Sequence, residues 1–263
     1  MSNRTNRVKD ELAKGNVVCG CMLAEMRTPA VGMMLESAGL DFFIIDMEHG
    51  SFSYETACDI IAACRGLRIV PFVRVPGIDR EAFQKVLDAG AMGVLVPRIE
   101  TAEEAAQAAD LLRYAPEGSR GLSLRRAHSG FGRPDPAQFT AEANRTVMLM
   151  VQIETRRGVE NLDSISNLPG IDVLFVGPSD LAHSYGTGNA AEAERAIERV
   201  VQVGRDKGIA TGIHHSSLPY LTRLIESGMR FFCINTEVGA IISSFSQAAA
   251  AVRAGAERGE GRT

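Results

Sequence analysis

Along this chain, short apolar runs alternate with longer amphipathic stretches from end to end. The apolar runs are VVCGCML (17–23), FFIIDME (42–48), IVPFVRV (69–75), GVLVPRI (93–99), VMLMVQIE (147–154), VLFVGP (173–178), ATGIHH (210–215) and FFCIN (231–235). Each is four to eight residues long and rich in β-branched and aromatic residues, which predicts strands. Between them the period changes to that of helices, as in YETACDIIAACRG (54–66), DREAFQKVLDAG (79–90) and AEAERAIERVVQVGRDKG (191–208). Gly66, Gly90, Gly208 and Gly228 close helical stretches just before the next strand, where a C-terminal cap is expected. Continuous rather than alternating apolar runs are what strands covered on both faces require, and such strands belong to parallel sheets.

Eight strands, each followed by a helix, in 263 residues is the count and size of a single (β/α)8 TIM-barrel domain spanning 1–263. The other arrangement open to an alternating α/β chain is a doubly wound sheet, which is weakened here because no GxGxxG follows the first strand. Residues 117–136 fit neither element. They are rich in Gly, Arg and Ser, and their length is that of a functional loop. The last ten residues, AGAERGEGRT, are polar and glycine-rich and are expected to fray, while AIISSFSQAAAAV (240–252) is an apolar helix suited to packing against a neighbouring subunit.

Composition narrows the function classes. A net charge of −4 gives no nucleic-acid footprint, and no apolar run approaches 20 residues, so no membrane span is expected. The first fifteen residues are polar and helical in pattern, unlike a secretory signal. Five cysteines, with no CxxC pair, read as reduced and mostly buried thiols, and Cys19 and Cys21 as core packing, in a cytoplasmic protein.

In a TIM barrel the chemistry sits at the C-terminal ends of the strands. Strand two ends in Asp46, Glu48 and His49, strand three in Arg74, strand five in Gln152 and Glu154. Strand six runs into Gly177, Pro178, Ser179 and Asp180, strand seven ends in His214 and His215, and strand eight in Asn235. Carboxylates gathered near a barrel axis are costly unless paired or bound to a cation. The four lysines, Lys9, Lys14, Lys85 and Lys207, all lie off the strand ends, which argues against a Schiff-base mechanism. Carbanion chemistry here would need a metal, and several carboxylates with few imidazoles favour a hard cation such as Mg²⁺ or Mn²⁺ over zinc. Counting alone does not choose the ligands.

Taken in order, IIDMEHG, FVRVP, VLDAG, VQIET and VGPSDLA resemble the HpcH/HpaI aldolases, over about residues 10–250. The family comprises metal-dependent pyruvate aldolases, 4-hydroxy-2-oxoheptanedioate aldolase and 2-keto-3-deoxy-sugar-acid aldolases among them. The resemblance implies a lyase that reversibly cleaves a 4-hydroxy-2-oxo acid into pyruvate and an aldehyde through a metal-stabilised enolate. It implies that Glu154 and Asp180 ligate the divalent metal, Mg²⁺, Mn²⁺ or Co²⁺, and that Arg74 stabilises enolate charge. His49 would pair with Asp88 for acid–base work, and Gln152 and the backbone of Ser179 and Asp180 would hold pyruvate. Asp46 and Glu48 would orient metal-bound water. Homo-oligomers, hexamers or trimers of dimers, are the family's habit.

Simpler readings stand beside these. Asp180 in GPSDL is good helix-start chemistry, Glu154 could pair with Arg156 or Arg157, and Arg74 could be a partner for Asp46 or Glu48. Asp88 could face solvent. His214 and His215 depart from the family's strand, and at least one of them is expected to tune the pocket or pack, rather than ligate. Arg120, Arg125, Arg126, His128 and Arg133 of the long loop could form a solvated basic loop, a lid, or a docking surface for a neighbouring subunit. Rival functions are an acyl-CoA lyase, a decarboxylating synthase of the macrophomate synthase type, and a barrel that binds 2-oxo acids without turnover. The first would bring a longer chain and extra basic elements.

Overall fold

The structure, a computed structural model, describes residues 5–186 and 188–260, with the side chains of 256–260 left aside. Eight parallel strands close into a barrel in chain order. They are β1 (Val18–Leu23), β2 (Phe42–Asp46), β3 (Val70–Arg74), β4 (Gly93–Val96), β5 (Met148–Ile153), β6 (Val173–Val176), β7 (Ala210–His214) and β8 (Phe231–Thr236). The helices are α1 (Arg7–Ala13), α2 (Val31–Ser37), α3 (Tyr54–Ala63), α4 (Arg80–Ala89), α5 (Ala102–Leu112), α6 (Pro136–Thr146), α7 (Arg156–Glu160) and α8 (Leu162–Ser166), then α9 (Pro178–Tyr185), α10 (Ala190–Lys207), α11 (Leu218–Glu226) and α12 (Glu237–Glu260). All eight expected strands are present, and the TIM-barrel expectation holds.

Two apolar layers follow from strand alternation. Leu23, Phe43, Ile45, Val73, Val94, Leu149, Leu174 and Ile213 face outward and pack under the helices. Met22, Phe42, Ile44, Phe72, Leu95, Met150, Phe175, Phe231 and Cys233 fill the barrel. The interior is plugged by phenylalanines: Phe42 stacks on Phe231 at 4.1 Å, and Phe175 meets Phe231 edge-on at 6.0 Å. Space for these rings comes from inward glycines. A Cβ on Gly20 would collide with the Phe42 ring, and one on Gly212 would lie 2.9 Å from Phe231 Cδ1. At the N-terminal end α1 closes the barrel, with Val8 buried and the Asn6 amide donating to the carbonyls of Met92 (3.1 Å) and Thr146 (2.9 Å).

Helix ends match their sequence signals. Ser53, Asp79 and Thr101 cap α3, α4 and α5 through their side chains, and Thr101 with Glu104 forms a reciprocal capping box. Gly90 and Gly208 take the left-handed conformation at the ends of α4 and α10, as expected of them. Two expectations change. The long loop contains a short 3-10 turn at Ala127–Ser129. The fraying expected of the tail is not seen up to Glu260, because α12 continues that far; residues 261–263 lie outside the described residues. Among the described residues no helix is long and apolar enough to cross a membrane.

Candidate active site

The inward alternation that fills the barrel continues past the phenylalanine layer into polar side chains. Asp46 follows Ile44 and Phe42, Arg74 follows Phe72, Gln152 follows Met150, Gly177 follows Phe175, and His214 follows Gly212. The strand register pairs Asp46 with Arg74 and Gln152 with Phe175. The floor of the C-terminal mouth is thus a ring of chemistry resting on aromatic packing.

Asp46 and Arg74 form a bidentate pair. Arg74 Nε donates to Asp46 Oδ1 at 2.9 Å and Nη2 donates to Oδ2 at 2.6 Å, with side chains 11% and 5% exposed. Arg74 Nη1 lies 3.2 Å from Glu48 Oε2. Burial pushes the Asp46 carboxyl up, but Arg74 and the backbone N–H groups of His49 and Glu48 outweigh it and hold it below its ordinary value. Two of the five guanidinium N–H groups donate to Asp46, which leaves the second of Nη2 and those of Nη1, beside Glu48, for a substrate oxygen. The same Asp46 Oδ1 accepts the backbone N–H of Glu48 (3.1 Å) and of His49 (3.2 Å), so the turn after β2 is folded around this carboxylate. Gly50 completes the turn in close quarters, where a Cβ would collide with the Asp46 carbonyl oxygen and lie 2.9 Å from that of Ala24.

This geometry ends β2 at Asp46, two residues before the expected end, because the Asp46 side chain replaces the ladder as partner for the next amides. His49 is consequently presented at the rim. Its side chain is 69% exposed, with Nε2 4.0 Å from Glu48 Oε2.

Across the mouth, Glu154 is buried at 2% exposure. Its Oε1 accepts the backbone N–H of Arg98 at 2.8 Å, and its Oε2 accepts from the Gln152 amide. Arg98 adopts φ 52°, a left-handed conformation uncommon for a residue with a side chain, and that conformation aims its N–H at the carboxylate. Burial raises the Glu154 carboxyl above its ordinary value, and the charges of Glu48 and Asp180 raise it further against the two hydrogen bonds. Glu48 is likewise raised, by burial first and by the charges of Asp46 and Asp180, against the pull of Arg74 and His49. Asp180 sits in the first turn of α9, behind Gly177 and Pro178, and both it and Ser179 are exposed. No side chain caps α9, so its first amides are open to an anion. Gly177 is a cradle: a Cβ there would collide with Glu154 Oε2 and lie 2.8 Å from the Gln152 amide nitrogen.

The expected pairing of His49 with Asp88 is not found within the chain. Asp88 Oδ1 accepts from Arg120 Nη2 at 2.9 Å, and His128 Nε2 lies 3.9 Å away. The reason is helix polarity. α4 starts beside the mouth, after β3, and runs about 15 Å back toward the start of β4, so its last turn, with Asp88, lies at the opposite end of the barrel. The long loop folds back onto this helix rather than over the mouth. The Arg120 guanidinium stacks on the Tyr114 ring at 4.4 Å, and the His128 ring meets Phe139 edge-on at 5.0 Å. The simpler readings of Glu154 pairing with Arg156 or Arg157 also drop out, since Arg156 pairs with Glu160 and Arg157 with Glu100.

Several contributors were not expected. Arg98 works through its backbone, which no side-chain count reveals. Glu237, the first residue of α12, accepts backbone N–H groups from Ala24 (2.9 Å), Glu25 (2.6 Å) and Met26 (2.8 Å), and so fixes the loop after β1. His215, by contrast, follows the packing expectation: it accepts the Ser217 N–H and packs on Tyr220. A cavity of about 190 Å³ at the N-terminal end of the barrel is lined by Arg7, Glu11, Glu36, Asp41 and Arg68. Its carboxylates at Glu36 and Asp41 already accept backbone N–H groups of Arg68 and Cys19, so the mouth is the better site.

The model of the HpcH/HpaI aldolase/citrate lyase family matches residues 22–243, most of the chain. The chain belongs to that family. As an HpcH/HpaI family member it is a lyase-type enzyme, and its relatives are consistent with this. It is 35% identical to the 5-keto-4-deoxy-D-glucarate aldolase of Enterobacter sp. (strain 638) over 243 residues, which are 91% of this chain and 93% of that protein. It is similar to a solved HpcH/HpaI aldolase/citrate lyase family protein from Burkholderia cenocepacia J2315, with 32% identity and a TM-score of 0.88, covering 95% of this chain and 100% of that one. An HpcH/HpaI aldolase from Desulfitobacterium hafniense DCB-2 superposes with the same TM-score at 26% identity, covering 93% and 96%.

Proposed function

We propose that this HpcH/HpaI family member is a divalent-metal-dependent aldolase that reversibly cleaves a 4-hydroxy-2-oxo acid into pyruvate and an aldehyde. The observation that carries the reading is the opposed pair of half-sites: a fixed guanidinium at Arg74 on one side, and crowded carboxylates at Glu154 and Asp180 on the other.

The carboxylate side suits a hard cation. Glu154 is buried with its ionised form disfavoured by Glu48 and Asp180, and Gln152 Oε1 has no hydrogen-bond partner. Among the described residues no three His, Cys, Asp or Glu side chains form a metal-binding group, so Glu154 and Asp180 would be a two-carboxylate set completed by water and substrate oxygens. Mg²⁺ or Mn²⁺, with Co²⁺ as a further candidate, fits such donors. When bound, the ion supplies Lewis acidity toward the 2-oxo acid.

The chain's own residues do the rest. The N–H groups of Arg74 not given to Asp46 point charge at an oxygen that becomes enolate as the C3–C4 bond breaks, and the Asp46 fork keeps that charge in place. The first amides of α9, at Ser179 and Asp180, receive the pyruvate carboxylate, and Gln152 lies beside it. His49, at the rim, takes the C4 hydroxyl proton through water as the C3–C4 bond breaks and returns a proton to C3 of the enolate by the same route, with Glu48 as its neighbour. Asp46 and Glu48 position Arg74 and the rim water. Asp88, held by Arg120, has no part in this chain's mouth. Exposed Ile241, Ile242, Phe245 and Val252 on α12 support a homo-oligomer that covers them.

The test is cleavage of a 4-hydroxy-2-oxo acid read by coupled reduction of the released pyruvate. Activity should vanish with EDTA, return with Mg²⁺, Mn²⁺ or Co²⁺, and resist borohydride added with substrate. Activity that survives EDTA and is lost to borohydride would point to a Schiff base and overturn the reading.

A further inference from the structure

Glu237 opens α12 and is buried, at 6% exposure. Its carboxylate faces three consecutive backbone N–H groups of the loop that leaves β1. Ala24 donates to Oε2 at 2.9 Å, Glu25 to Oε1 at 2.6 Å and Met26 to Oε1 at 2.8 Å. A buried carboxylate requires such donors, and they are fixed by it in turn. The middle donor belongs to the peptide unit between Ala24 and Glu25, which is trans. A trans peptide points its N–H and its C=O in opposite directions, so the bond to Glu237 aims the Ala24 carbonyl away from Glu237. That carbonyl accepts the backbone N–H of Ser51 at 3.3 Å. It also bounds Gly50, where a Cβ would lie 2.9 Å from the Ala24 oxygen. The Ser51 hydroxyl donates to Glu25 Oε2 at 2.8 Å, a second tie between the same two loops.

His49 directly precedes Gly50 and Ser51, so its turn is held from two sides. Asp46 Oδ1 accepts the N–H groups of Glu48 and His49 on the barrel side. The Ala24–Glu25 peptide holds Gly50 and Ser51 on the other. At 69% exposure the His49 side chain takes its position from this backbone. We propose that Glu237 is a positioning residue for His49: through the Ala24–Glu25 peptide it fixes the Gly50–Ser51 backbone, and with it the place of the imidazole at the rim. A displacement of about 1 Å at a reacting group costs on the order of 10²-fold in rate. The inference rests on the aldolase reading above, with His49 as its proton carrier, and adds a residue from the last helix of the chain.

The experiment is a double-substitution cycle read by deuterium exchange into the pyruvate methyl group with Mn²⁺ present. Glu237→Gln keeps an oxygen for the amides of Glu25 and Met26 but sets an NH₂ donor against the Ala24 N–H; Glu237→Ala removes the whole contact. Exchange should slow by about three- to tenfold in the first and about ten- to a hundredfold in the second. The rise in Tm that Mn²⁺ gives should stay, because the Glu154 side of the mouth is untouched. Added to His49→Ala, either substitution should slow exchange by less than about twofold further, since the group it positions is gone. Equal slowing in both backgrounds, no slowing in either, or loss of the Mn²⁺ rise overturns the proposal: Glu237 would then support the barrel and not His49. Should Glu237→Ala fail to fold, Glu237→Gln carries the cycle alone. Wild type that exchanges, with His49→Ala slowed and Glu237 additive to it, sinks this proposal alone. His49→Ala exchanging at the wild-type rate removes the proton carrier and this proposal with it, and wild type with no exchange under any divalent metal sinks the aldolase reading as well.

Discussion

Asp46→Asn isolates the half-site at Arg74. The substitution keeps the shape of the side chain and one acceptor oxygen, and removes the charge and the second arm of the fork. Breaking a buried ion pair by removing one partner costs about 3–5 kcal/mol, because a desolvated charge is left behind. Two features of the structure lower this. The Asn oxygen can still accept from Arg74 Nε, and Glu48 stays 3.2 Å from Nη1. Against them, the same Asp46 oxygen anchors the amides of Glu48 and His49. A net loss of about 2–4 kcal/mol follows, or roughly 5–12 °C in Tm for a chain of this size. Thermal unfolding at fixed protein concentration and pH 7 reads it. The pH dependence has a definite sign. The folded carboxyl lies below its ordinary value, so the contribution of the pair is complete above about pH 4 and fades as pH falls through the folded value. The gap between variant and wild type should therefore close in acid. A loss under about 1 kcal/mol at pH 7, or a gap that widens below pH 4, would refute the reasoning.

Other consequences can be checked with the same tools. Glu154→Gln should leave the metal-free protein as stable as wild type or more so, since a disfavoured buried charge is removed and Gln152 can turn its unpartnered oxygen toward the new amide; the rise in Tm that Mn²⁺ gives wild type should disappear. Persistence of that rise would remove Glu154 from the ligand set. His49→Ala should slow pyruvate exchange by about 10²–10⁴-fold while the Mn²⁺ shift in Tm stays, because His49 lies at the rim; loss of the shift would make it a ligand. His128, 8% exposed by side chain, is held neutral by burial and by Arg120, its pKa lowered to about 4. Its neutral form carries stability that is complete above about pH 6.5 and falls away toward pH 4, a change on the order of 3 kcal/mol, which His128→Gln should abolish in pH-dependent unfolding. Unchanged pH dependence in that variant would place the titrating group elsewhere.

The barrel was legible because its cause is local. Each strand is a continuous apolar run and each helix carries its own stop, so Gly90 and Gly208 could be read as left-handed caps before any contact was known. The inward alternation that brings Asp46, Arg74, Gln152 and His214 to one mouth follows from the same period of two. What could not be read depends on length and polarity in three dimensions. Asp88 looked like a partner for His49, yet it belongs to the far turn of α4, where Arg120 from the long loop meets it. The hold of Arg98 on Glu154 comes from a backbone N–H in a left-handed conformation, and no residue type announces that. Gly177 shows its role only once Glu154 and Gln152 are seen to occupy the space of its missing Cβ.

The central claim is that Arg74 and the Glu154–Asp180 carboxylates together make pyruvate enolise. Proton NMR of the pyruvate methyl signal in D₂O tests it most directly. With enzyme and Mg²⁺ or Mn²⁺ the signal should decay as deuterium enters, EDTA should stop the decay, and fresh metal should restart it. A methyl signal that stays undiminished with every divalent metal tried, or that decays equally in EDTA, would contradict the account.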